Sequence, residues 1–123
     1  MTLAILSGLL SALSLPTVIG SRLLPDLGFL AWVALVPLYV ALAKSEGNKA
    51  FRLGFVYGLA HFGVSLYWIF IALHTYGKVP IPISLMGLIA GVALEALFPA
   101  ATCWMAFRTK APFSISFILS WIV

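Results

Sequence analysis

Residues 83–107 read ISLMGLIAGVALEALFPAATCWMAF, the longest apolar run of the chain, and Glu95 is the only charged residue among them. A hydrocarbon core about 30 Å thick needs roughly 20 apolar residues per helical crossing, so the stretch predicts a transmembrane helix. The composition agrees, because hydrophobic residues make up 63% of the 123 residues and charged residues only 8%, with a mean hydropathy of +1.17. A soluble domain of this length would need far more polar surface, so we expect an integral membrane protein.

Three further apolar segments precede this stretch and predict membrane spans at about 2–21, 27–43 and 53–73. A last segment, 113–123, is uncharged but too short to cross a bilayer, which predicts that the chain is the front part of a larger membrane protein. The connections are short, so neighbouring helices should pack antiparallel. The predicted fold is an all-α membrane protein with four transmembrane helices plus an incomplete fifth, in one domain, 1–123.

The basic residues set the expected orientation, because cytoplasmic loops retain Lys and Arg. One side of the membrane would carry Lys44, Lys49, Arg52, Arg108 and Lys110, and the other Arg22 and Lys78. The richer side is expected in the cytoplasm together with the N-terminus, and the turn at 74–82 then faces outward. This distribution accounts for the net charge of +4, so the expected partner is the phospholipid bilayer and no nucleic acid is predicted.

Two ionisable residues fall near the middle of predicted spans. Glu95 would cost roughly 3 kcal/mol or more as an ionised carboxylate there unless it is paired, neutral or hydrated. His61 lies at a similar distance from the 74–82 turn, so the two side chains should lie at similar depth and could form an intramembrane polar pair. Alternatively, each is satisfied separately, by a backbone carbonyl, a water or another helix.

Glycine pairs precede both residues on the same helical faces. Gly54 and Gly58 lead to His61, and Gly87 and Gly91 lead to Glu95. Such Gly-x-x-x-Gly notches let membrane helices approach closely. We therefore expect tight packing at both notches.

Catalytic and metal-binding patterns are missing from the sequence, which has no HExxH, GxSxG or Walker loop and only three acidic residues. The single Cys103 lies in the cytoplasmic half of its predicted span, without an evident cation or carboxylate to activate it as a nucleophile. It is interpreted as a small apolar filler. No catalytic residue, metal or cofactor is predicted.

The most distinctive string is residues 66–80, LYWIFIALHTYGKVP, at the end of the third predicted span. Its aromatic rings suit the membrane interface, and its Gly and Pro suit a sharp turn. The lipid-interface candidates are Trp68, His74, Tyr76 and Lys78. His74 and Lys78 could contact a lipid phosphate, and ordinary solvation at the interface is the alternative.

Further motifs occur in a fixed order with this string. They are Leu-Pro at 15–16, Pro-Asp-Leu-Gly at 25–28, LAWVALVPL at 30–38 and ALFPA at 96–100. The ordered set resembles the N-terminal membrane region of bacterial apolipoprotein N-acyltransferase. Two departures from that family are Tyr76-Gly77-Lys78, where Phe-Gly-Gly is more usual, and Glu95, where an uncharged residue is expected.

The resemblance implies an inner-membrane enzyme that transfers a fatty acyl chain from phospholipid to the N-terminal diacylglyceryl-cysteine of lipoproteins. In that family a nitrilase-like domain near the C-terminal end supplies the catalytic Glu, Lys and Cys, and this chain does not reach it. The segment is therefore expected to be a scaffold that is inactive on its own, with the missing catalytic portion or a lipoprotein substrate as partner. Alternatively, it is a small non-enzymatic membrane interaction or lipid-binding protein.

Overall fold

A computed structural model describes residues 1–15, 27–45 and 49–108, together with the backbone of residues 18–19 and 22–23. The chain is helical there apart from one small antiparallel ribbon. The elements in chain order are α1 Thr2–Leu13, β1 Val18–Ile19, β2 Arg22–Leu23, a 3₁₀ turn Gly28–Leu30, α2 Ala31–Ala34, α3 Val36–Ala43, α4 Lys49–Ser65, α5 Tyr67–Ile71, a π-helical turn Ala72–Tyr76 and α6 Ile81–Arg108.

The longest helix, α6, agrees with the span predicted at 83–107. It is the one helix in the described part of the chain that is long and apolar enough by itself to cross a membrane. The span predicted at 53–73 corresponds to α4 together with the segment 67–76, which pass the same test as a pair but are bent by 48°. Helix length and composition thus support one crossing, or two when the bent pair counts as one span.

The first predicted span is shorter than expected, and the second is broken. Instead of continuing to residue 21, α1 ends at Leu13. There the Ser14 hydroxyl donates to the Ser11 carbonyl at 2.7 Å and so competes with the backbone hydrogen bonds of the helix. The segment predicted at 27–43 is interrupted at Leu35, because Pro37 cannot donate to the carbonyl four residues earlier. The predicted partial span 113–123 lies outside the described residues.

The most extensive helix contact joins α4 and α6 in antiparallel orientation. A Cβ added to Gly58 would lie 2.7 Å from the Ala96 Cα, and one added to Gly54 would lie 2.8 Å from the Ala100 Cα. A side chain at either position could not fit at these distances. The notch formed by Gly54 and Gly58 therefore allows α4 and α6 to approach closely. The second notch, Gly87 and Gly91, faces the segment beyond the bend, where Gly87 meets the Leu73 side chain.

On its other side α4 packs against α1. The ideal Cβ position of Gly8 lies 2.7 Å from the Ala60 Cβ, and the Tyr57 hydroxyl donates to the Ser11 hydroxyl at 3.1 Å. The Ser7 hydroxyl donates to the carbonyl of Ala34 in α2. The starts of α1 and α4 and the end of α3 line the same end of the bundle, so α1 runs parallel to α4 and α3 antiparallel to both.

The core lies where α1, α3, α4 and α6 meet. Its buried members are Ala4, Leu38, Leu42, Ala50, Leu53, Tyr57, Cys103 and Ala106. Most are small or aliphatic, so the helix backbones approach closely. Cys103 is a free, fully buried thiol among them, consistent with its interpretation as a filler.

Candidate functional site

The bend after α4 separates the helix bundle from the segment that carries the four interface candidates. The Ser65 hydroxyl donates to the His61 carbonyl at 2.9 Å, and back-bonding of this kind bends helices. Beyond Leu66 the chain continues through α5 and the π-helical turn to the loop 77–80, which leads into α6. We call this end of the bundle the turn end.

The four candidates lie along this segment and are all exposed. Trp68 belongs to α5, His74 and Tyr76 to the π-helical turn, and Lys78 to the loop. The exposed fraction is 55% for Trp68 and 82% for Tyr76, which is large for aromatic rings and suits contact with lipid. The described residues include no hydrogen bond or ring contact between any two of the four, so each faces outward independently.

The π-helical turn closes the hairpin by unusual backbone hydrogen bonds. The Gly77 N–H donates to the Ala72 carbonyl at 2.9 Å, and the Val79 N–H donates to the Leu73 carbonyl at 3.0 Å. Lys78 has a positive φ of 52°, a conformation that costs energy for a residue with a side chain. Local π geometry and a strained residue often accompany functional sites.

His74 is held by the loop that follows it. Its Nδ1 atom lies 3.0 Å from the Val79 carbonyl oxygen, and its ring stacks on Phe70 with centroids 5.6 Å apart. Because a carbonyl can only accept, Nδ1 carries the proton, and the lone pair of Nε2 can accept a hydrogen bond from an external donor. The Ser84 hydroxyl donates to the same carbonyl at 3.3 Å, which ties the loop to the first turn of α6.

The chemistry of the turn end comes from its four exposed side chains. It offers a cation, an imidazole nitrogen and two exposed aromatic rings, which together suit a phosphate-bearing head group beside acyl chains. The buried Cys103 cannot act as its nucleophile, because it lies near the far end of α6. Within the described ranges, no group of three or more His, Cys, Asp or Glu side chains could hold a metal ion.

His61 and Glu95 lie at similar depth. The α4–α6 register, continued from Gly58 and Ala96, sets His61 level with Ala93, two residues or about 3 Å of helix rise from Glu95. The His61 ring, however, stacks on Tyr57 at 5.9 Å, and its backbone N borders Gly8 of α1.

No hydrogen bond in the described part of the chain reaches the buried Nδ1 atom of His61. Glu95 is half-buried on α6. The polar pair of His61 and Glu95 therefore stays a prediction that needs another rotamer, or a water between them.

The polar contacts of α1 were not predicted from the sequence. Ser7, Gly8, Ser11 and Ala12 are buried on one face of that helix, and both hydroxyls make hydrogen bonds to other segments. Small residues recur three and four positions apart in α1, and this pattern is typical of tightly packed membrane helices. It could have indicated the buried face of α1.

Taken together, the helices and the turn end define a helical membrane domain with an aromatic and cationic edge. The model of the apolipoprotein N-acyltransferase N-terminal domain family matches residues 7–123. The chain belongs to this family, which confirms the resemblance inferred from its motifs.

Individual relatives agree with the family match. The chain is 42% identical over 123 residues to an apolipoprotein N-acyltransferase of Geobacter metallireducens, covering 98% of this chain and 22% of that protein. It is 32% identical over 101 residues to the Pseudomonas aeruginosa enzyme of the same name, covering 76% of this chain and 19% of that protein. The chain thus spans about a fifth of the length of these relatives. No solved structure matches it.

Proposed function

We propose that this chain is the membrane-embedded N-terminal part of a bacterial apolipoprotein N-acyltransferase in the inner membrane. Such an enzyme moves a fatty acyl chain from a phospholipid to the N-terminal diacylglyceryl-cysteine of a lipoprotein. The observation that carries the proposal is the family match over residues 7–123. The chain's role is that of a scaffold, because the catalytic Glu, Lys and Cys of the resembled family belong to a separate nitrilase-like domain.

Four crossings are the proposed membrane topology. The 28 residues of α6 extend about 42 Å, enough to cross, whereas the 12 residues of α1 extend only about 18 Å. The alternating directions of the helices still support four crossings. Helices α1 and α4 run one way, and α3 and α6 run the other way, as successive membrane spans do. The β1–β2 ribbon lies between α1 and the segment 28–43 and would form the tip of the first hairpin.

The proposed orientation has the turn end outside the cell and the N-terminus in the cytoplasm. Lys44, Lys49, Arg52 and Arg108 lie toward the opposite end of the bundle, as retention of basic residues in the cytoplasm favours. With Cys103→Ser as background, Lys78→Cys should react with a membrane-impermeant maleimide in intact spheroplasts, and Lys44→Cys only after lysis. Labelling of Lys44→Cys in intact spheroplasts would overturn this orientation.

At the turn end, the exposed segment would contact the phospholipid that donates the acyl chain. Support comes from the geometry of His74, whose Nδ1–H bond to Val79 leaves the lone pair of Nε2 available to a hydrogen-bond donor of the head group. Trp68 and Tyr76 would lie at head-group depth, where amphipathic rings are favoured. This contact positions lipid and takes no part in bond-breaking.

The scaffold role has a direct test. The chain, purified in detergent, is incubated with a fluorescent phospholipid and a diacylglyceryl-cysteine peptide, and N-acylated peptide is measured by mass spectrometry. We expect no product from the chain alone, and product from the Geobacter metallireducens relative under the same conditions. Product from the chain alone would refute the scaffold role.

A further inference from the structure

A cavity of about 440 Å³ lies at the end of the bundle opposite the turn end. It is formed by the start of α1, the end of α3 and the first turn of α4. The lining residues that matter for its chemistry are Leu3, Lys44, Ser45, Lys49, Arg52 and Leu53. Its volume is within the range of small-molecule sites, about 300–1,000 Å³.

The charge of the cavity is one-sided. Lys44, Lys49 and Arg52 contribute three cations, and the described lining includes no carboxylate. The three side chains are exposed at its mouth, while Leu53 is buried in the core behind it. The cavity thus combines a cationic mouth with an apolar wall.

Helix ends add to the positive potential. Both α1 and α4 begin at this cavity, and α1 has no side-chain hydrogen bond capping its first N–H groups. The N-terminus of a helix carries a partial positive charge and favours anions. A phosphate is the anion that best matches one guanidinium, two ammonium groups and backbone N–H donors.

We propose that this cavity binds a phosphate diester or monoester. The phosphate oxygens would be held by Arg52 and Lys44, and the carbon skeleton would lie against Leu3 and Leu53. Basic pockets between membrane helices on the cytoplasmic side bind acidic lipid head groups by the same chemistry. The site lies at the far end from the proposed acyl-donor contact, so it holds whether or not the acyl-transfer proposal does.

The test compares two arginines at the same end of the bundle. Arg52 lines the cavity, whereas Arg108 does not and lies over the Trp104 ring at 4.4 Å. Arg52→Gln and Arg108→Gln remove the same charge from the same end. Binding of fluorescent phosphatidylglycerol to the full chain in uncharged detergent is measured for both, with phosphatidylethanolamine as the zwitterionic comparison.

We expect Arg52→Gln to weaken phosphatidylglycerol binding about fivefold, the effect of roughly one interfacial cation, and Arg108→Gln less than twofold. Lys44→Gln should weaken it as Arg52→Gln does, and Arg52→Lys should restore most of the affinity because it keeps the charge. Circular dichroism of each variant checks that the helices are retained. Equal losses for Arg52→Gln and Arg108→Gln, or no loss for either, would overturn the proposal.

A second arm identifies the source of the phosphate. Inorganic phosphate at millimolar concentration is added to lipid-free protein in detergent, and binding is measured by calorimetry for the native chain and Arg52→Gln. Binding that Arg52→Gln abolishes supports the cavity with a soluble phosphate as ligand. If only phosphatidylglycerol binds in an Arg52-dependent way, the ligand is a lipid head group.

Discussion

The Nδ1 atom of His74 lies 3.0 Å from the carbonyl oxygen of Val79, so the loop that closes the α5–α6 hairpin also orients an exposed imidazole. The same carbonyl accepts from Ser84 in α6. One acceptor therefore joins the π-helical turn, the loop and the next helix, and it leaves Nε2 of His74 available to a lipid head group.

His74→Asn separates the two roles of this imidazole. An Asn amide nitrogen can reproduce the Nδ1–H bond to Val79, but it offers nothing at the Nε2 position. In the full-length enzyme we expect His74→Asn to keep the stability of the native protein and to raise the KM for phospholipid about fivefold, the effect of one lost hydrogen bond of about 1 kcal/mol.

His74→Ala is the matched variant, since it should lower stability as well as lipid use. An unchanged KM in both variants would mean that His74 supports the loop alone.

Lys78 supplies the cation of the same site. In the full-length enzyme Lys78→Glu should weaken phospholipid use, because it reverses a charge at the head-group level, whereas Lys78→Arg should not. Lys78→Gly tests whether the backbone at this position is strained. Glycine adopts the positive φ of 52° without strain, so the variant should have a higher thermal unfolding temperature. Unchanged acylation kinetics for Lys78→Glu would remove Lys78 from the lipid site.

Gly58 and Gly63 lie on the same helix and provide a matched pair for the packing of α4 on α6. Gly58→Ala should destabilise the protein by about 1–3 kcal/mol, because its Cβ would lie 2.7 Å from the Ala96 Cα. Gly63→Ala meets nothing within 4 Å and should be neutral or stabilising by up to about 1 kcal/mol.

The free energy of unfolding in detergent micelles measures both variants. Equal stability would show that α4 and α6 do not approach as closely as described.

The predicted pair of His61 and Glu95 is tested by a double-mutant cycle. If the side chains interact, His61→Leu should destabilise the helix pair in the native background but much less in Glu95→Gln, where no charge is left unpaired. The same unfolding measurement gives the four free energies. Simple additivity would mean that each residue is satisfied separately, as the position of the His61 ring against Tyr57 favours.

Much of the fold was predictable, since the hydrophobic stretch 83–107 alone located α6 to within two residues. The end of α1 and the break before α3 were less so, because Ser14 and Pro37 act on the backbone locally while the sequence remains apolar around them. Hydrophobicity sets where a segment prefers to lie, and backbone hydrogen bonding decides where the helix ends.

The geometry of the candidate site could not be predicted from the sequence. Aromatic and basic residue types pointed to Trp68, His74, Tyr76 and Lys78, whereas the π-helical turn that orients His74 has no sequence signature. Helical spacing likewise gave the depth of His61 but not its direction, because it could not reveal that α1 would occupy that face of α4.

The central claim is that this chain is the membrane scaffold of an apolipoprotein N-acyltransferase. The most direct measurement is acyl transfer by a chimera in which this chain replaces the matching N-terminal 22% of the Geobacter metallireducens relative. We expect N-acylated lipopeptide from the chimera and none from the relative lacking that segment. A chimera that inserts into the membrane in normal amounts but transfers no acyl chain would contradict it.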